Sequence, residues 1–282
     1  METGIDIPED WSRFAELLTI SPWRRVLVLG AGDRGKSTLC RFLAADPRLG
    51  KPWLLDTDPG QKLIGPPACV TAGPIGGASP RLYFVGGVDP VRRIAMIVAG
   101  AARLASGLVE DRSAGRLLIN TGGMVDGPGR LLKRLKIDAL RPDWIVALQH
   151  GEELEPLLAP LPPGRVHRLA PSPAAFGKTP LARAALRQAA LSEALRGARS
   201  LDLSCVVYEM LERSNGLEQH CGKLCGLTDR DGEEQGIGVL TGADVPAGTA
   251  TVFTSVPPDR IRRIRIGMAL KPEILAAVGL QG

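Results

Sequence analysis

The sequence predicts a three-layer α/β fold with a mostly parallel central sheet, a helical lid and a small β-rich C-terminal module. Three observations carry that expectation. Short apolar runs alternate with helical stretches through the first part of the chain, and a glycine-rich loop, GAGDRGKS, joins the first run to a helix. Beyond residue 200 helical spacing gives way to short strands joined by Gly, Asp and Pro turns.

In chain order, RRVLVLG (24–30) is a strand feeding the glycine turn, and KSTLCRFLAAD (36–46) has the spacing of the helix behind it. Further short apolar runs follow in KPWLLDTD (51–58), RLYFVGG (81–87), GRLLINTGG (115–123), DWIVALQ (143–149) and RVHRLAP (165–171). Helical stretches such as VRRIAMIVAGAARLAS and GRLLKRLKIDAL separate several of them, the pattern of a parallel sheet covered on both faces. The alanine-rich GKTPLARAALRQAALSEALRGAR is expected to form a lid helix over about 178–198, with Thr179 as N-cap and Pro180 at the first helical position. LSCVVYEM, KLCGLTDRDG, GIGVLTG, TATVFTSV and RIRRIRIGMAL then read as strands, which divides the chain into residues 1–200 and a module over 201–282.

The composition of the 282 residues, 44% hydrophobic and 23% charged, is that of a globular protein. No stretch has the roughly 20 uncharged apolar residues of a membrane span, and the acidic opening METGIDIPEDWSRF lacks the regions of a secretory signal. A cytoplasmic location without membrane contact is expected. Cys40, Cys69, Cys205, Cys221 and Cys225 read as reduced thiols. His220, Cys221 and Cys225 lack a second nearby Cys/His pair and read as strand and turn residues rather than a metal site. The net charge of +5 suits a polyanionic partner without identifying one.

Gly30, Ala31, Gly32, Asp33, Arg34, Gly35, Lys36 and Ser37 fit G-x-x-x-x-G-K-[ST], followed by Thr38, between a predicted strand and a predicted helix. Backbone N–H groups of such a loop wrap nucleotide phosphates, the lysine bridges the outer ones, and the serine hydroxyl reaches Mg²⁺. Absence of an [NT]-K-x-D guanine reader mildly favours ATP. Asp56 and Asp58 end the next strand on one side; one is expected to hold the Mg²⁺ shell and the other to accept a proton from an attacking hydroxyl. Gly60 and Gln61 follow at a distance suited to a γ-phosphate, as in a nucleotide switch. The polar glycine loop from Asn120 to Gly129, with Thr121, permits close approach to a substrate. Arg183 and Arg187, four apart on the lid helix with Lys178 before them, suit neutralisation of a transferring phosphoryl group. Arg130, Lys133 and Arg134 are expected to form a solvated basic face with the leucines inward, and DRIRRIRIG is a second basic cluster.

Taken in order, GAGDRGKS, DTDPGQ with IGPPACVT, LYFVGGVDP, LINTGGMVDGPGRLLKRLKIDALRPDWIVAL and an arginine-bearing helix resemble the P-loop polynucleotide 5′-hydroxyl kinases. That family includes a subunit of the eukaryotic pre-mRNA cleavage machinery and ribosomal-RNA processing kinases. The resemblance covers about residues 25–200 and implies that Lys36 and Ser37 hold ATP and Mg²⁺ and that Asp56 and Asp58 serve metal and general-base roles. It implies RNA or DNA with a 5′-hydroxyl, single-stranded or end-exposed, as the phosphate acceptor. The family's Thr-x-Gly-Trp clasp corresponds to Thr121, Gly122, Gly123 and Met124, so a methionine stands where the family has tryptophan, and its lid arginines map onto Arg183 and Arg187. Eukaryotic members carry a β-domain ahead of the P-loop, whereas this chain begins about 30 residues before it, so a compact prokaryotic version is expected. An ATP-bound switch or scaffold of the same fold is the alternative.

Overall fold

A computed structural model describes residues 7–77, 80–110, 114–173, 175, 177–204, 206–211, 221–244 and 246–280. Two sheets organise it. The first has seven strands in the order β4-β3-β2-β5-β1-β6-β7: β1 (Arg25–Gly30), β2 (Trp53–Asp56), β3 (Cys69–Gly73), β4 (Arg81–Phe84), β5 (Leu117–Asn120), β6 (Trp144–Leu148) and β7 (Val166–Leu169). Strands β2, β5, β1, β6 and β7 run parallel, while β3, next to the β4 edge, runs antiparallel to both of its neighbours. Burial on both sides of these short runs of Leu, Val and Ile explains their lack of alternation. Strand β3 was not anticipated, because CVTAG is short and follows a Gly/Pro-rich loop.

On one face lie α3 (Ile94–Glu110) and α4 (Pro128–Leu140), whose Ile97, Leu104, Leu108, Leu132 and Leu140 cover Leu27, Leu55 and Ile119. On the other lie α2 (Lys36–Ala45) and α1 (Glu9–Ile20), with Trp11, Phe14, Leu18, Leu39 and Leu43 over Val26, Val28 and Leu118. Helix α1 went unread although its signals are present: acidic Glu9 and Asp10 in the first turn, then apolar residues at Trp11, Phe14, Ala15 and Leu18. A short helix, α5 (Glu155–Leu158), precedes β7.

Helix α6 (Pro180–Ala194) is the expected lid helix, and its first turn has the expected cap: Thr179 accepts from Ala182 N at 3.1 Å ahead of Pro180. Beyond it a six-stranded sheet, ordered β8-β12-β11-β10-β13-β9, forms from β8 (Arg199–Ser204), β9 (Val207–Met210), β10 (Lys223–Thr228), β11 (Glu234–Asp244), β12 (Thr249–Thr254) and β13 (Arg263–Ala269). Helix α7 (Pro272–Ala277) follows. Cys40, Cys69, Cys221 and Cys225 are free thiols; Cys205 and His220 lie outside the described residues. Among the described residues no group of His, Cys, Asp or Glu side chains forms a metal-binding cluster, and no helix is long and apolar enough to cross a membrane.

The two sheets meet at β4. Phe84, Ala68 and Cys69 of the first share an apolar cluster with Leu224, Ile237 and Val239 of the second and with Leu191 and Leu195 from the end of the lid. Phe84 N donates to Glu234 Oε1 at 3.1 Å and Arg265 Nη1 donates to Phe84 O at 3.1 Å, so side chains of the second sheet satisfy the exposed edge of the first. Arg265 also pairs with Glu234 and lies over the Tyr83 ring at 4.9 Å. Gly226 makes this approach possible, because a Cβ there would stand 2.6 Å from the Phe84 side chain. Gly226→Ala is therefore expected to destabilise the chain by about 1–3 kcal/mol, the usual cost of overpacking, read as a lowered midpoint in denaturant unfolding.

Candidate active site

The P-loop leaves β1 and turns through Asp33 (φ 57°) and Gly35 (φ 86°) into the first turn of α2. Trp11 supports it from below: its indole ring packs against Gly35 and its Nε1 donates to Ala170 O at 2.8 Å. Residues Gly32 to Thr38 line a narrow cleft of about 110 Å³ together with Asp58, Gln61, Asn120, Thr121, Gly123, Lys178 and Arg183. Strands β1, β2 and β5 therefore deliver their carboxyl-end residues to one site, as an open α/β sheet does.

Lys36 is buried and donates from Nζ to Ala31 O at 2.6 Å within the loop. Burial lowers its pKa to about 8, against the opposing pull of Asp58 and Asp33. Asp58 faces the same cleft. Its Oδ1 accepts from Gly60 N at 2.8 Å and Gln61 N at 3.1 Å, which fixes the carboxylate in an Asp-Pro-Gly-Gln turn. Its Oδ2 lies beside Gly122 and receives no hydrogen bond among the described residues.

Asp56 does not share that cleft, and the expectation that both carboxylates point the same way is corrected. It is fully buried: Oδ1 accepts from Asn120 Nδ2 at 3.1 Å and Asp58 N at 3.3 Å, and Oδ2 accepts from Leu63 N at 2.6 Å and pairs with Lys62 Nζ at 3.3 Å. The extended geometry behind the expectation stops at Asp56; the chain turns at Asp58.

The lid reaches the P-loop through Asp33. Its Oδ2 accepts from Lys178 N at 2.9 Å and from Arg183 Nη2, and Lys178 Nζ lies 3.7 Å from Oδ1. Gln61 Nε2 donates to the Arg183 carbonyl at 3.3 Å, tying the Asp-Pro-Gly-Gln turn to the same helix. Arg187, one turn further, is half-buried and makes no hydrogen bond or ion pair among the described residues; it does not line the cleft.

In the clasp segment, Thr121 Oγ1 donates to Val28 O at 2.7 Å, which fastens the end of β5 to β1. Gly123 lies directly on Gly32, where a Cβ would stand 2.7 Å from the Gly32 backbone nitrogen. Met124 turns away from the cleft and packs against Gly129 at the start of α4.

Helix α4 corrects a second expectation. Lys133 and Lys136 are buried, whereas Leu131 and Leu135 are 54% and 36% exposed. Arg130 and Arg134 do lie on the surface, paired with Asp126 and Asp138. Lys133 Nζ donates to Gly122 O, and Lys136 Nζ donates to Thr57 O at 3.0 Å and Thr57 Oγ1 at 2.8 Å. Strand-end loops leave carbonyls without partners, and the long lysine stems carry donors to them through apolar surroundings. The spacing of Lys133 and Lys136 with Leu132, Ile137 and Leu140 was the available signal, but lysines at core positions read as solvent-facing.

Burial lowers the pKa of Lys136 to about 8 and that of Lys133 well below its ordinary value. An amine depressed in the folded chain favours folding fully only above its unfolded value near 10.4, and this contribution is lost as pH falls through about 8. Wild-type stability relative to Lys136→Met is thus expected to rise between pH 8 and 10, measured by urea unfolding of both. Taking the difference cancels the opposite trend of the buried thiols Cys40 and Cys225, pushed up to about 12.

The model of the family described as mRNA cleavage and polyadenylation factor CLP1 P-loop matches residues 30–197, more than half of the chain. A polyribonucleotide 5′-hydroxyl-kinase of Pyrococcus furiosus is 35% identical over 165 residues, covering 55% of this chain and 46% of that protein. Another, of Methanocaldococcus jannaschii, is 36% identical over 173 residues, covering 55% and 45%. The matched region thus spans about half the length of these relatives. A Clp1p chain solved in a Clp1p–Pcf11p complex superposes with a TM-score of 0.73 at 13% identity, over 92% of this chain and 78% of that one, a likeness of fold. From its P-loop to the end of its lid helix, the chain belongs to the mRNA cleavage and polyadenylation factor CLP1 P-loop family.

Proposed function

We propose that the chain is an ATP-dependent polynucleotide 5′-hydroxyl kinase, which moves the γ-phosphoryl group of ATP to the 5′-hydroxyl of an RNA or DNA end. The observation that carries this reading is the Asp58 carboxylate, held by its own turn with Oδ2 unengaged, in one cleft with Lys36, Ser37 and Arg183. Simple phosphate binding needs no such base. Relatives named polyribonucleotide 5′-hydroxyl-kinases support RNA as the acceptor.

In this reading the P-loop N–H groups and Lys36 grip the β- and γ-phosphates, and Asp58 takes the proton of the attacking hydroxyl. Arg183, released from Asp33 by competition with the phosphates, neutralises the equatorial oxygens; Arg187 supports it from the next turn. The lining suits Mg²⁺: the Ser37 hydroxyl lies in the cleft with Asn120, whose buried Oδ1 has no partner. Bound there, the ion would offset charge on the phosphate oxygens. Asp56, saturated by its four donors, positions the neighbouring residues instead of binding metal.

The bond from Gln61 to the lid backbone supports a second reading, a nucleotide-state switch without transfer. Incubation with γ-labelled ATP, Mg²⁺ and matched 5′-hydroxyl RNA and DNA strands separates the two. A kinase labels the strands and Lys36→Ala does not; a switch labels neither.

A further inference from the structure

We propose that Asn120 is a metal-shell residue of this site: its Oδ1 accepts a hydrogen bond from water on the divalent cation that enters with the nucleotide, and Asp56 fixes it in that orientation. This inference rests on the reading of the cleft as a Mg·ATP site.

Asn120 is 2% exposed and lines the cleft, yet its Oδ1 is buried with no hydrogen-bond partner. Orphaned buried acceptors are rare in folded proteins and call for an explanation. The amide orientation is set by its neighbour. Nδ2 donates to Asp56 Oδ1 at 3.1 Å, and Asp56 is itself held by Leu63 N and Lys62. Rotating the amide by half a turn would set its oxygen against a carboxylate, so the acceptor end is the one left without a partner.

Topology explains why this position matters. Strand β5 lies between β1 and β2, and Asn120 pairs in register with Val28 on one side and Asp56 on the other. It therefore ends the strand next to the one that feeds the P-loop and is almost wholly enclosed, while Asp58 and Arg183, on the turn and the lid, are partly exposed. An acceptor needs a donor. Phosphate oxygens supply none, and in the reading above the hydroxyl of an incoming strand end gives its proton to Asp58. Water polarised by a cation on the phosphates is the donor that suits a neutral carbonyl oxygen at this depth. Asp56 then acts on the cation only through Asn120, which accounts for an acidic residue of the motif being wholly enclosed.

The test measures Mn²⁺ binding by electron paramagnetic resonance in the full chain with the β,γ-imido analogue of ATP, together with analogue affinity in EDTA. Asn120→Ala is expected to weaken Mn²⁺ binding about tenfold, as loss of an outer-shell partner does, with affinity in EDTA unchanged. Unchanged Mn²⁺ affinity in Asn120→Ala overturns the assignment and leaves the kinase reading standing. An equal loss of analogue affinity in EDTA overturns it too, since it marks a purely structural side chain. A wild-type chain that binds the analogue no better with Mn²⁺ than without removes both this inference and the Mg·ATP reading.

Discussion

Asp58→Asn is expected to lower phosphoryl transfer by about 10²–10⁴-fold, the usual contribution of a general base, while ATP affinity stays within a few-fold of wild type. The substitution is nearly isosteric, and the amide oxygen retains the turn bonds from Gly60 N and Gln61 N. It removes the proton acceptor facing the cleft without disturbing the P-loop. Single-turnover transfer and a separate nucleotide-binding titration check the two halves of this expectation. Equal losses in both would place Asp58 in nucleotide binding instead.

Gly123→Ala is expected to act on binding and turnover together. A Cβ would stand 2.7 Å from both the nitrogen and the Cα of Gly32, backbone atoms that cannot rotate aside. The P-loop must shift, and a displacement of about 1 Å at a phosphoryl-transfer site costs on the order of 10²-fold. Gly122→Ala offers a graded comparison, because its Cβ would meet the Asp58 side chain at 3.3 Å rather than backbone. Nucleotide titrations of the two variants, with a thermal melt of each, separate P-loop displacement from general loss of stability.

Much of the fold was legible because it rests on local signals. The P-loop lies between an apolar run and a helical one, and the lid begins at a Thr-Pro pair that caps its own first turn. What escaped depends on contacts distant in sequence. Helix α1 carries ordinary helix signals, but its place beneath Gly35 comes from Trp11 meeting segments far along the chain. Lys133 and Lys136 look solvent-facing until the carbonyls of Gly122 and Thr57 are brought over α4. Asp56 and Asp58, two residues apart, look equivalent in sequence, and only the partners Lys62, Leu63 and Asn120 separate their roles. Asn120 opens the polar glycine loop that the sequence marks, but an uncharged amide there carries no signal of its own until Asp56 is seen to hold it.

The measurement that tests the central claim most directly is where the γ-label of ATP goes when the chain meets a 5′-hydroxyl oligoribonucleotide and the same strand already 5′-phosphorylated. The account predicts label at the 5′ end of the hydroxyl strand alone, abolished by Lys36→Ala and strongly slowed by Asp58→Asn. Label appearing only as free phosphate, regardless of the strand's end group, would contradict it.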